Sequence, residues 1–279
     1  MCMRKEWLIA VVLTMIPGLA VAQLTGRPEN DARTVLKAGA GEREPDARRE
    51  VAIALSLISA RDASARLLET LAQDKDHLVR EAAIASIGEL GDRSRLKLVK
   101  SALDDEVPEV VFTAARALHR LDPAQGRPIL LSILQKETAA ESSFVRGQLR
   151  TLSRRMKTPR SALAFAFQHG VGFIPLPGLG AGYSAMSSML LDSDFSARAY
   201  ALTVLANDRR HDSVVTVLVE SLSDEDWSVR AAAVQALAAR GRPGIRSELV
   251  PLFADGNRKV RYRAGAAYLR LAYLARAKR

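Results

Sequence analysis

The chain has 279 residues, 41 Lys and Arg against 31 Asp and Glu, a net charge of +10 and a single cysteine, Cys2. Such a composition suits a folded, basic chain that seeks anionic partners, and one thiol leaves no room for disulfide frameworks or thiolate metal sites. A basic leader, Arg4-Lys5, precedes an uncharged stretch from Trp7 to Ala22 that ends Ala20-Val21-Ala22 and is short for a membrane span. Residues 1–22 therefore read as a signal peptide cleaved near Ala22, with an uncleaved anchor as the alternative. The expected location is extracytoplasmic, periplasmic or secreted. Cleavage removes Cys2 and lowers the net charge by one. The anionic partners open to an exported basic protein are then acidic protein surfaces, phospholipid headgroups or envelope polymers, and nucleic acid is disfavoured.

Residues 23–41 read as a polar N-terminal capping segment, in which Asn30-Asp31 opens a short helix. From residue 42 a phrase recurs: an acid, a Val or Ala, an Arg, then small residues. Its Arg position falls at Arg48, Arg80, Val111, Arg146, Arg198, Arg230 and Arg261, so the spacing is 31 to 35 residues except for one interval of 52. A period of this size is the signature of a solenoid. Asp76, Asp194 and Asp226, with Glu44 and Asn257 as variants, stand four residues before the Arg, where a side chain can cap the first turn of a helix. The same spacing allows an acid–Arg pair along one helix face, or an Arg that reaches the acid of a neighbouring repeat and forms a rung in a ladder. Apolar and small residues then follow at helical spacing, as in Val79, Ala83, Ile87 and Leu90. Gly or polar turns end each first helix, and second helices are expected over 95–103, 128–135, 213–222 and 245–254.

Two helices in about 31 residues, opened by Asp-x-x-x-Val-Arg or its one-residue-shorter variant, the form that Asp76 to Arg80 and Asp226 to Arg230 take, resemble the HEAT repeat family, in particular its short bacterial form of the PBS-lyase type. The resemblance covers residues 42–279 and is weakest in the third copy, with Val111 in place of Arg, and in the degenerate fourth around Arg146. It implies an all-α fold, a right-handed α-solenoid of about seven helix pairs that offers a concave groove for a partner. Tetratricopeptide repeats share the period, but their landmark residues are absent.

The long interval contains an insert at residues 159–182, and the stretch 161–191 holds no Asp, Glu, Lys or Arg. It reads as an apolar Gly/Pro-rich hairpin in the fourth repeat. Phe165, Phe167, His169, Phe173, Ile174, Pro175 and Pro177 are its candidate partner-binding residues, since an exposed apolar patch marks an interaction site. Folding back onto the solenoid and contact with a membrane are the alternatives. The hairpin's glycines precede no Lys-Ser/Thr and follow no strand, which disfavours a phosphate loop.

No catalytic, cofactor-binding or metal-ligating set emerges. His77, His119, His169 and His211 are scattered, and none adjoins a Glu, although the HEAT-like deoxyhypusine hydroxylases carry His-Glu pairs as iron ligands. Bilin lyases share the repeat type, but an export signal speaks against that activity. The expected function is an exported, non-enzymatic scaffold that binds a protein through its groove or its hairpin. The alternative is a membrane- or envelope-associated adaptor that uses the hairpin and the basic surface.

Overall fold

The computed structural model describes residues 25–135, 196–206 and 211–277, and every regular element among them is helical. The helices that carry the repeat phrase are α2 (Pro45–Ala54), α4 (His77–Leu90), α6 (Pro108–Leu121), α8 (Ala197–Leu205), α10 (Trp227–Arg240) and α11 (Arg258–Ala277). Each starts for a local reason. Asp76 accepts the amides of Leu78 and Val79 at the head of α4, Asp226 accepts that of Ser228, and Asn257 accepts that of Lys259. In α2 and α6 a proline at the first helical position does the same work, its missing N–H being one the helix would leave unbonded anyway. Glu44, expected to cap α2, makes no cap hydrogen bond, and α8 is capped by Ser196, which accepts the amide of Ala199. Asp194, the expected cap of that helix, lies outside the described residues. Helix α4 ends at Gly91, whose φ of 69° is the left-handed conformation a glycine adopts without a Cβ penalty.

The second helices are shorter and more broken than the sequence suggests. The first of them is α3 (Leu67–Leu71), preceded by a 3₁₀ turn at Ala63–Arg66. The segment at 95–103 is a 3₁₀ turn, then α5 (Leu96–Ser101), then another 3₁₀ turn. Helix α7 (Pro123–Gln135) begins five residues earlier than expected and runs through Pro128. Helix α9 (Ser213–Glu220) matches its expected position, whereas 245–254 forms two 3₁₀ turns, Pro243–Leu249 and Pro251–Ala254. Pro251 has no N–H to give to the preceding turn, so an α-helix cannot run through it without losing a bond.

The order of the repeats in space differs from their order in the chain. Helix α8 packs on α10, α10 on α11, α2 on α4, and α4 on α6, as in any solenoid. The last helix, α11, then packs against both α2 and α1 (Pro28–Ala40). The segment expected to be a polar cap is thus a helix that buries Ala32, Val35, Leu36 and Gly39. Its Asp31 is also buried and accepts from the Thr25 amide and hydroxyl at 2.6 and 2.8 Å. The last helix in the chain, α11, is thus an interior member of the array. The stack therefore runs α8, α10, α11, α2, α4, α6, with the first and last repeats meeting at a seam in its middle.

Close packing explains the abundance of alanine. In α4, Glu81 to Gly88 are all buried, and in α11 so are Tyr262 to Leu269, so these helices have no solvent face in their central turns. A helix covered on all sides need not be amphipathic. Small side chains let its neighbours approach closely, and the Ser86 hydroxyl donates to the Ala52 carbonyl on the adjacent helix at 2.8 Å.

At the seam, a Cβ built on Gly39 would lie 2.5 Å from the Tyr262 ring and 2.6 Å from Val51. Replacing Gly39 by Val must push α1 off α2 and α11. A loss of about 1–3 kcal/mol is expected in urea unfolding, the usual cost of overpacking. An unchanged midpoint would mean that the seam is loose.

Candidate functional site

The most regular chemistry in the molecule is a ladder of arginine forks at the N-terminal edge of the stack. Arg48 Nε and Nη2 donate to the two carboxylate oxygens of Asp74 at 2.6 and 2.8 Å. Arg80 does the same to Asp105 at 2.7 and 2.8 Å, and Arg230 to Asp255 at 2.7 and 2.9 Å. Arg198 pairs with Asp224 in a more exposed version. The third nitrogen, Nη1, donates to two backbone carbonyls of the arginine's own repeat: Glu42 and Arg43 for Arg48, Asp74 and Lys75 for Arg80, Asp224 and Glu225 for Arg230. Bidentate pairing of this kind suits the planar guanidinium.

The ladder between repeats is therefore present, and it replaces the pairing within a repeat. Asp76 and Asp226 take backbone amides, while the arginines four residues later reach across to the next repeat. Their partners Asp74, Asp105, Asp224 and Asp255 were not singled out from sequence. The signal was there, because each stands six residues before the Arg position of its own repeat. Each also accepts an amide two residues on, as Asp255 does from Asn257 at 2.8 Å, so one carboxylate ties a turn and a neighbouring helix together. The hydrogen bond from Arg48 holds Asp74 below the ordinary aspartate range.

A second set of polar groups is buried between helices. Arg263 and Glu50 link α11 to α2, with Nη1 3.1 Å from Oε2 and both side chains shielded from water. One helix further, burial pushes the Glu81 carboxyl up to about 7, opposed by Arg49, Arg116 and a 3.4 Å hydrogen bond from Thr113, and reinforced by Glu109.

The outer layer is different. Arg61 and Arg66 before α3, Lys97 and Lys100 on α5, Arg120 at the end of α6 and Arg127 on α7 are all exposed. None of the six is among the ion pairs of the described residues. Of the acids nearby, Glu69 and Asp92 are engaged by Arg95 and Asp62 by Arg33, while Asp104, four residues beyond Lys100, is exposed. Three consecutive repeats thus present a basic strip. Leu131, four residues beyond Arg127, is exposed beside it.

Of the residues proposed from sequence, Arg48, Arg80, Arg198, Arg230, Arg261, Asp76 and Asp226 occupy equivalent places in successive repeats. Arg146 and the hairpin residues Phe165, Phe167, His169, Phe173, Ile174, Pro175 and Pro177 lie outside the described residues. His77 opens α4, and His119 is half-buried near the end of α6. Among the described residues, no three His, Cys, Asp or Glu side chains converge as a metal site, and no helix is long and apolar enough to cross a membrane.

Stacked helix pairs joined by a repeating Arg–Asp contact define an α-solenoid. The family model for HEAT repeats matches residues 15–88, 64–148 and 184–270, and the chain belongs to the HEAT repeat family. No curated protein matches. Among solved structures, the chain is similar to human deoxyhypusine hydroxylase in complex with glycerol, at 21% identity over 87% of this chain and 84% of that one, with a TM-score of 0.32. It is also similar to an engineered protein, at 17% identity over 88% and 98% of the two chains, with a TM-score of 0.29.

Truncating Asp255 to Ala leaves the Arg230 fork without its carboxylate and the turn without its acceptor. A stability loss of about 2–3 kcal/mol is expected in denaturant titration at pH 7. Because pairing depresses the acid's pKa in the folded state, the contribution from Asp74 is present above pH about 4 and fades as the pH falls further. Glu81 has the opposite sign. Its raised pKa makes the folded state hold a proton that the unfolded state has released, so stability declines from about pH 4.5 to 7. Glu81→Gln should remove that decline, giving a Tm above wild type at pH 8 and close to it at pH 4.5; equal gains at both pH values would contradict the assignment.

Proposed function

We propose that this protein is an exported, non-enzymatic scaffold that holds a partner protein. The observation that carries this reading is the contrast between the two edges of the stack. On the ladder edge, cations are locked to aspartates that hold the repeats together. On the outer layer Arg61, Arg66, Lys97, Lys100 and Arg127, and at the exposed end of α6 Arg120, form no such ion pair among the described residues and are exposed along three successive repeats.

A row of cations carried by a rigid array can match an elongated acidic surface, with each repeat adding one contact. Membership in the HEAT repeat family supports a scaffold, and the leader at residues 1–22 supports export. The buried central turns of α4 and α11 favour the outer layer over the inner helices as the docking face. The apolar insert at 159–182 is proposed as a second contact. Exposed Leu131 beside Arg127 favours one further reading, an adaptor at an anionic membrane surface.

The triple variant Arg66→Glu, Lys97→Glu, Arg120→Glu leaves the ladder intact and should fold with an unchanged far-UV circular dichroism spectrum. Crosslinking in cells should then capture the partner at least tenfold less efficiently than with the wild-type chain. Capture that survives the reversal, and is lost only on deleting 159–182, would move the site to the insert. Co-sedimentation with vesicles containing anionic lipid, sensitive to salt and to the same reversal, would select the membrane reading.

A further inference from the structure

The seam between the last and first repeats contains an incomplete rung. Arg261 is held as the other ladder arginines are: its Nη1 donates to the carbonyls of Asp255 and Gly256, at 2.5 and 3.1 Å, the same two positions used by Arg48, Arg80 and Arg230. Its guanidinium is thus pre-oriented. Yet Nε and Nη2, which in those three grip an aspartate, meet no carboxylate among the described residues. The Arg261 side chain instead has the Tyr262 hydroxyl as a hydrogen-bonding neighbour, with the ring centroid 5.9 Å from the Arg261 Cζ.

The stacking order says which carboxylate should have been present. Helix α11 is followed in space by α2, so the rung acid belongs six residues before Arg48, at Glu42. Glu42 is one methylene longer than the aspartate found at every other rung, and it is exposed. The amide two residues on, which donates to the rung acid at Asp76, Val107, Asp226 and Asn257, is here that of Glu44, which makes no such bond. Glu44's own carboxylate goes to Arg258. Arg43 beside it is exposed and adds positive charge.

We propose that the Arg261 fork and the Glu44 amide form a receptor for an aspartyl carboxylate presented by the partner protein, which completes the missing rung in trans. The receptor rests on the reading of the chain as a scaffold for a protein. It adds a specific acceptor site at the seam, on a different face from the basic strip.

The probe is an acetylated, amidated peptide with the sequence Leu-Phe-Ala-Asp-Gly-Asn, copied from the rung turn at residues 252–257, titrated into the full chain while the Arg261 Nε signal is followed by NMR. Binding in the range of about 1–10 mM is expected for one charge-assisted fork. The Asp→Asn peptide should bind at least tenfold more weakly. Arg261→Gln should abolish the response, and Glu42→Asp, which supplies the shorter acid in cis, should block it. The proposal is overturned if the Arg261 signal does not move, if Asn serves as well as Asp, if Glu42→Asp binds like wild type, or if inorganic phosphate competes as strongly as the peptide. These outcomes are independent of the charge-reversal capture, so the receptor and the scaffold fail separately.

Discussion

The structure depends on one repeated contact, the arginine fork that joins the first turn of one repeat to the aspartate of the next. An isolated surface ion pair contributes little, because water competes and two long side chains must be ordered. These forks differ. The arginine is held by two backbone carbonyls, the aspartate by a backbone amide, and the pair lies at a partly buried edge. Most of the ordering cost falls on groups that are already fixed. Each rung also sets the register between helices, which alanine-rich surfaces alone would leave free to slide.

Alanine and the ladder serve complementary ends. Small side chains allow close approach over the whole length of α4, α10 and α11, so packing is dense but carries little directional information. The polar contacts supply direction: the forks at one end of each helix, Ser86 against the Ala52 carbonyl in the middle, and Arg270 donating to the carbonyls of Ala238 and Leu57 toward the C-terminal end of α11. At the seam between the first and last repeats, Arg263 and Glu50 add a shielded ion pair. Exposed pairs from Arg258 to Glu44 and from Arg276 to Glu29 border it.

Much of this was legible in the sequence. The spacing of Arg48, Arg80, Arg198, Arg230 and Arg261 marks a solenoid, and the acids before them mark helix starts, because capping is a local event within a few residues of the chain. The ladder could be anticipated but not its partners. Asp74 and Asp76 look alike in the sequence, and only the geometry of the first turn separates the residue that caps from the residue that receives the next arginine. The basic strip was equally hidden, since net charge does not say which cations are already paired.

What the sequence by itself determined is the helix pair, its period and the places where helices begin, all set by interactions between residues close in the chain. The tertiary structure alone decided the order of stacking. Nothing local in residues 28–40 or 258–277 shows that the first and last helices are neighbours. That contact follows from matching two buried faces more than two hundred residues apart, with Gly265 bringing α11 close to the Ala32 backbone and Gly39 bringing α1 close to Tyr262. The same closure leaves Arg261 beside the Tyr262 ring, with no aspartate in its fork among the described residues. Burial of complementary surfaces is a property of the whole chain, which is why it becomes visible only once the chain is folded.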